Sequence, residues 1–118
     1  MTGYLILIYG DESRWDALDE EARAAVDSAH RAFQERAGEG VRAAGELQAS
    51  SAATTLRTGP DGEPRPTDGP FSESKEVVGG FYLIEADSDE AAVALAASLA
   101  EARQGHGGIE VRPLVSHG

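Results

Sequence analysis

The histidines are the first residues of this sequence that could do chemistry, and His30 has the most informative surroundings. It lies one helical turn after Val26 and three residues before Phe33, at the margin of an apolar stripe. A partly buried imidazole beside a carboxylate can take a proton from an acidic C–H or give one to a leaving group near neutral pH. The alternative is a helix-edge histidine that stays in water or bonds a backbone carbonyl.

Asp68 is a second candidate, because it precedes Gly69-Pro70, where a turn could hold its carboxylate at the mouth of a sheet. By itself, Asp-Gly-Pro favours a structural role, since aspartate readily bonds the local backbone in turns. Lys75 is the single lysine beside nine arginines. Its point-charge ammonium could anchor an anionic ligand group or pair with a carboxylate, and a place on a solvated loop fits equally well.

Charged and aromatic side chains near these positions form a wider candidate set. Glu110 and Arg112 share one strand face, which fits a polar cavity lining and, with the larger weight, an ion pair between subunits. We expect a small-molecule ligand to contact four side chains of the wider set, namely Glu46, Phe71, Lys75 and Arg112.

Several chemistries are excluded by what the sequence lacks. With no cysteine there is no disulfide, thiolate zinc site, iron–sulfur cluster or cysteine nucleophile. His106 and His117 have no partner at metal-ligand spacing, and neither a strand–loop–helix phosphate loop nor a Gly-x-Ser-x-Gly elbow is present. The formal net charge of −11 repels nucleic acid and anionic membranes. We therefore predict no metal, no cofactor, and no nucleic-acid or membrane partner.

The elements that would position these residues follow from hydrophobic periodicity and turn residues. A chain of 118 residues fits one domain, residues 1–118. Asp19 predicts a helix N-terminus, and Asp87 with Glu90 forms a capping-box pattern that opens an alanine-rich helix ending near Gly105. The predicted elements are strands over 3–9, 42–48, 53–58, 77–85 and 109–115, helices over 19–38 and from 87 to near 105, a turn at 60–62 and an edge or irregular segment over 63–67.

The order β-α-β-(hairpin)-β-α-β is typical of a ferredoxin-like α+β fold, βαββαβ with an inserted hairpin and both helices on one face of an antiparallel sheet. Residues 4–9 and 81–84 are apolar on both strand faces, so the face without helices needs a cover. We expect a second subunit there, burying roughly 1,600 Å² in total and leaving a cavity near the seam. Gly79-Gly80 is expected to form a bulge or a close approach. The sequence shows neither a membrane-spanning apolar run nor a signal peptide, so we expect a cytoplasmic protein.

The run DGPFSESKE at residues 68–76, followed by GGFY at 79–82, resembles the signature of the DGPF branch of the YCII-related family. The apolar strand 4–9 before Gly-Asp-Glu, the GEL at 45–47 and the EVRP at 110–113 extend the resemblance over nearly the whole chain. It implies a dimeric α+β barrel, and an acid/base pair of His30 and Asp68 in a pocket beside the sheet. The wider family includes a dehydrochlorinase of a chlorinated aromatic, and DGPF genes often lie beside genes for alternative sigma factors.

Two functional hypotheses follow. The first is a cofactor-free lyase or isomerase in which His30 and Asp68 move a proton on a small cyclic or aromatic molecule held at the dimer seam. The second is a non-catalytic ligand-binding or regulatory dimer that acts with a sigma factor. An oxygen-using monooxygenase of the similar dimeric-barrel type is a third and weaker alternative.

Overall fold

The computed structural model of the chain describes residues 2–117. Within that range it contains six strands and three α-helices, with short 3-10 turns at Gly38–Gly40, Ser50–Ala52 and Ala100–Arg103. In chain order the elements are β1 (Thr2–Asp11), α1 (Glu12–Asp16), α2 (Glu20–Ala37), β2 (Val41–Glu46), β3 (Thr54–Thr58), β4 (Pro64–Asp68), β5 (Glu76–Ala86), α3 (Asp89–Ala96) and β6 (Gly108–Pro113).

Four of the strands form one antiparallel sheet in the order β2-β5-β1-β6. The two central strands are β1 and β5, which are the two apolar runs of the sequence. Their alternate residues, among them Ile6 and Ile84, are fully buried against Phe33 of α2 and Ala92 of α3. Both helices therefore pack on the same sheet face, and the predicted ferredoxin-like α+β fold is confirmed.

The inserted hairpin is also present, as a separate sheet of two strands. β3 pairs with β4 from Thr54 opposite Asp68 to Thr58 opposite Pro64. The turn between them is closed by the amide of Gly59 donating to the carbonyl of Glu63, and Gly62 adopts the positive φ of 83° that glycine favours. The chain has a radius of gyration of 16.2 Å, against about 13.5 Å for a compact domain of this length. It spans 49 × 44 × 19 Å, so its shape is flat and extended.

The predicted irregularity at the paired glycines is a β-bulge. Ile8 lies opposite Gly80 and Tyr9 lies opposite Val78, which leaves Gly79 as the extra residue of β5. The indole of Trp15 covers this position so closely that a Cβ at Gly79 would lie 2.6 Å from its ring. The bulge thus makes room for the tryptophan of α1, a helix that the sequence patterns did not predict.

Helix α3 is shorter than predicted, and its N-cap lies one residue later than expected. Ser88, rather than Asp87, is its N-cap and accepts a hydrogen bond from the amide of Ala91. The helix ends at Ala96 instead of near Gly105. The hydroxyl of Ser98 donates to the carbonyl of Leu95, and the backbone then becomes extended at Leu99, whose side chain is fully buried. The alanine-rich helix thus stops early, and this leucine lies in the core beyond its end.

The other sheet face carries a row of large apolar side chains and has no α2 or α3 on it. These residues are half-buried in the single chain, namely Leu5, Leu7, Tyr9, Phe81 and Leu83. We refer to this surface as the open face. No helix within residues 2–117 is both long enough and apolar enough to cross a membrane.

Candidate functional site

A cleft of about 850 Å³ opens between α1 and α2 on one side and β2 and β5 on the other. Helix α2 reaches the cleft with a well-defined start, because Asp19 accepts from the amide of Ala22 and Glu20 and Glu21 occupy its first turn. Its apolar stripe then buries Phe33 completely. The stripe and the N-terminus follow the prediction made from the sequence.

His30 sits at the edge of that stripe, between the core and the cleft. Its side chain is 21% exposed, and its ring stacks at 26° on the ring of Tyr82, with 5.8 Å between centroids. Tyr82 in turn packs against Phe33 at 4.4 Å between centroids. The imidazole is therefore supported by the core on one side and borders the cleft on the other.

Both ring nitrogens of His30 have partners. Nδ1 lies 2.7 Å from the hydroxyl oxygen of Tyr82, and Nε2 lies 2.9 Å from both carboxylate oxygens of Glu101. An ionised carboxylate only accepts, so the neutral imidazole carries its proton on Nε2 and accepts the Tyr82 hydroxyl proton at Nδ1. The side-chain amide of Gln34 donates to the same hydroxyl oxygen at 3.2 Å. We call this chain of bonds, from Gln34 through Tyr82 and His30 to Glu101, the relay.

The surroundings of Tyr82 keep its phenol neutral. Burial raises the pKa of Tyr82, the charge of Glu101 raises it further, and the hydrogen bond from Gln34 acts in the opposite direction. Tyr82 therefore keeps its proton at neutral pH. Glu101 is only 8% exposed, which makes His30 its essential partner, since a buried carboxylate without a hydrogen-bond donor is costly.

The relay has the parts that general acid–base chemistry requires. A proton that arrives at the Tyr82 oxygen can pass to Nδ1 and leave an imidazolium, whose charge the adjacent Glu101 carboxylate stabilises while it also fixes the ring orientation. The reverse transfer would protonate a leaving group. Trp15 closes one wall of the cleft, and its indole N–H donates to the side chain of Gln104 at 2.8 Å.

The cleft brings together two of the six residues that the sequence singled out, His30 and Glu46. Asp68 ends β4 on the separate hairpin, where it is exposed, and the structure does not bring it to His30 within one chain. Phe71 is 69% exposed beneath the guanidinium of Arg57, which lies 4.2 Å from the ring centroid. Lys75 is exposed in the loop before β5.

Arg112 belongs to the open face and not to the cleft. It donates to Glu110 of its own strand at 2.6 Å, so these two side chains form an ion pair within the chain. The pair lowers the pKa of Glu110, and the hydroxyl of Tyr9 donates to the same carboxylate at 3.1 Å. Glu110 and Glu76 border a second, shallower depression of about 510 Å³ beside Tyr9.

Sequence reasoning missed Glu101, Tyr82, Gln34 and Trp15. Gln34 carried a usable signal, because it lies four residues after His30 and so shares its helix face. No sequence signal pointed to Glu101, because it lies inside a segment that was expected to be helical. Among residues 2–117, no three His, Asp or Glu side chains gather closely enough to hold a metal ion.

The structure is a small α+β domain with a ferredoxin-like sheet and a His–Glu pair in a cleft beside it. The chain belongs to the YCII-related family, because the YCII-related domain matches residues 2–116. It is also similar to an uncharacterized protein of Rhizobium meliloti (strain 1021), with 38% identity over 115 residues. That alignment covers 94% of this chain and 90% of the relative.

Proposed function

We propose that this YCII-related protein is a cofactor-free lyase or isomerase that moves a proton on a small cyclic or aromatic molecule in the cleft. The observation that carries the proposal is the relay, in which Glu101 holds Nε2 of His30 at 2.9 Å while Nδ1 meets the Tyr82 hydroxyl at 2.7 Å. His30 is the acid/base residue, and Glu101 is the positioning residue that supports its charged form.

Asp68 remains the second acidic candidate, in the role that the resemblance implies. Its hairpin lies apart from the main sheet, so Asp68 would have to reach the cleft of another subunit. We propose that the protein is a homodimer of the DGPF branch whose subunits meet through the open face. The half-buried apolar row on β1 and β5 supports this assembly, because such a surface is stabilised by removal from water.

The test uses proton exchange, which needs no knowledge of the product. The protein is incubated in deuterated water with a set of small cyclic and aromatic compounds that carry an acidic C–H, and deuterium uptake is followed by NMR. We expect His30→Ala and Glu101→Gln each to slow the exchange by about 10²-fold or more. The matched control is Glu35→Gln, the same type of change on the outer face of α2, which should exchange at the wild-type rate.

Asp68→Asn is assayed in the same way to separate the two carboxylates. A wild-type rate assigns the acidic role to Glu101 alone, whereas a loss comparable to that of Glu101→Gln shows that Asp68 acts from a partner subunit. Undiminished exchange in a correctly folded His30→Ala protein would remove the proposed function altogether. Circular dichroism spectra that match the wild type establish the fold of each variant.

A second candidate function is a non-catalytic ligand-binding dimer that acts with a sigma factor. One observation favours it, namely that both nitrogens of His30 are already occupied by protein groups. A histidine bonded in this way can serve as a rigid part of a binding surface. Ligand binding without any deuterium exchange, together with retention of a purified sigma factor on the immobilised protein, would support this alternative.

A further inference from the structure

The charged residues that line the cleft are strongly unbalanced. Carboxylates predominate there, and the formally charged side chains of the lining are Glu12, Asp16, Asp27, Glu46 and Glu101 against Arg23. The excess of negative charge is therefore concentrated where a ligand would bind. Such a wall repels an anionic group and attracts a cation, and the effect grows as a ligand displaces water.

The single guanidinium of the lining is already engaged by the backbone. Arg23 donates from Nε to the carbonyl of Leu18 and from a terminal nitrogen to the carbonyl of Asp16, both at 3.0 Å. Asp27 and Glu46, in contrast, make no ion pair and no side-chain hydrogen bond with any of residues 2–117. Within residues 2–117 neither carboxylate is held in an ion pair, so both are available to a ligand cation.

Glu101 provides independent support from inside the cleft wall. Its side chain is nine-tenths buried, yet its two oxygens share a single N–H from His30 when the imidazole is neutral. A carboxylate has about four lone-pair sites, so most of its capacity to accept hydrogen bonds is unused. A ligand with several N–H donors would satisfy this buried group and lower the cost of its burial.

Trp15 supplies the apolar part of the same surface. Its ring packs over Gly10 and Gly79, where an added Cβ would lie within 3 Å of the indole. Its N–H is used by Gln104, so what it offers a ligand is ring surface. An aromatic ring attracts cations through its quadrupole and also stacks on a cyclic body.

We propose that the cleft selects a small organic cation, an amine whose cyclic or aromatic body lies against Trp15 while its ammonium faces Asp27, Glu46 and Glu101. The proposal rests on the proposed function only in using the same cleft, and it concerns binding and not turnover. The proposal also changes the expected ligand from one with an anionic group to one with a cationic group. Lys75 and Arg112, which the sequence offered for an anionic ligand group, both lie outside the cleft.

The experiment exploits Trp15 as the single tryptophan of the chain. Its fluorescence is titrated with phenethylamine, with phenethyl alcohol and with phenylacetate, which have similar bodies and carry positive, zero and negative charge. We expect phenethylamine to bind about tenfold or more tightly than phenylacetate, with the alcohol in between. Asp27→Asn combined with Glu46→Gln should cut that preference to about threefold or less, and Glu35→Gln should leave it unchanged.

Equal or tighter binding of phenylacetate overturns the proposal, and so does the absence of saturable phenethylamine binding at millimolar concentration. A preference that survives unchanged in the double variant also overturns it, because the named carboxylates would then not be responsible. The outcome is separable from that of the proton-exchange assay. Selective amine binding without deuterium exchange would support this inference and contradict the lyase or isomerase proposal. Deuterium exchange on neutral compounds without amine selectivity would support the lyase or isomerase proposal and contradict this inference.

Discussion

The two ring nitrogens of His30 have different hydrogen-bond partners beside the cleft. Nε2 is fixed on a buried carboxylate, while Nδ1 meets a phenol that borders the cavity. In the proposed function, a substrate would exchange a proton with His30 in one of two ways, by displacing the Tyr82 hydroxyl from Nδ1 or by bonding to the phenol oxygen itself. In either case Glu101 faces the charge that forms on the ring, which is the arrangement that makes a histidine an effective base.

The tyrosines predict how stability depends on alkaline pH. Burial raises the pKa of Tyr82 above its ordinary value of 10.0 and also raises the pKa of Tyr9, and the hydrogen bond to Asp89 raises the pKa of Tyr4. The unfolded chain releases these protons at about pH 10, whereas the folded chain still holds them. The stabilisation is thus complete below pH 10 and is lost as the pH rises through the folded pKa values.

The measurement is urea unfolding at a series of alkaline pH values, with tyrosinate absorbance of the native protein recorded in parallel. The native absorbance transition should lie above pH 10.0. Tyr82→Phe keeps the packing on Phe33 and removes one titrating group, so its free energy of unfolding should fall less steeply with pH. A slope equal to that of the wild type would contradict the assignment of a raised pKa to Tyr82.

The position of His30 at the edge of the core was predictable, and the arrival of Glu101 beside it was not. A histidine at the margin of a helical apolar stripe has to lie at the border of the core, so its position follows from the helix period. Glu101 is brought to it by the early end of α3 and the 3-10 turn that follows. That geometry depends on packing between distant segments, which periodicity in a single sequence does not report.

Helix α3 shows how packing overrides intrinsic preference at the scale of an element. Residues 91–102 are rich in alanine, which favours a helix at every position. The chain nevertheless leaves the helix after Ala96 and buries Leu99 completely. Helix propensities differ by only a few tenths of a kcal/mol per residue, whereas burial of a leucine contributes roughly 1.5–3 kcal/mol, so propensity alone does not decide where such a helix ends.

Replacement of the N-cap tests the observed start of this helix. Ser88→Ala removes the acceptor for the amide of Ala91, and we expect it to lower the free energy of unfolding by about 1 kcal/mol. Asp87→Ala serves as the matched control and should have a clearly smaller effect, because Asp87 is not the cap. Chemical denaturation of both variants gives the comparison, and a larger loss in Asp87→Ala would restore the cap predicted from the sequence.

The bulge in β5 leads to a second prediction at this scale. In Gly79→Ala the new methyl group would lie 2.6 Å from the ring of Trp15, which is too large and too confined to move aside. We expect a loss of about 1–3 kcal/mol in the free energy of unfolding, with a shift of the tryptophan emission maximum. Gly3→Ala on β1 is the control, since its methyl group would lie 3.1 Å from the flexible side chain of Leu114 and at an ordinary contact distance of 3.9 Å from the carbonyl of Ile84.

For the whole molecule, the open face leads to a prediction about assembly. Leu7 lies near its middle, on the central strand β1 and opposite Phe81. We expect the wild-type protein to have twice the chain mass in light scattering, and Leu7→Arg to have the mass of one chain, because burying an unpaired charge in an apolar interface is costly. Val93→Arg, on the exposed side of α3, should remain a dimer. A monomeric wild type would rule out the proposed assembly.

The order of elements and the topology were predictable for the molecule as a whole, because each strand and helix has its own period and the connections allow few arrangements. The inserted hairpin followed from Pro60-Asp61-Gly62. The distance of the hairpin from the cleft could not be predicted, because a local sequence pattern does not specify the direction in which an insertion extends. For this reason Asp68 could be recognised as a candidate while its separation from His30 could not.

Because the hairpin pairs separately from the main sheet, we expect it to open at a lower free energy than the rest of the domain. β3 and β4 bond only to each other within their sheet, and a lone two-stranded hairpin is marginally stable in water. Amide hydrogens such as those of Thr55 and Thr67, which face each other in the ladder, should therefore exchange with solvent through local opening, while those of Ile6 and Ile84 exchange only when the domain unfolds. If a second subunit covers the hairpin, its exchange should slow with increasing protein concentration, so the hairpin amides would report on assembly while the fluorescence of Trp15 reports on the body of the domain.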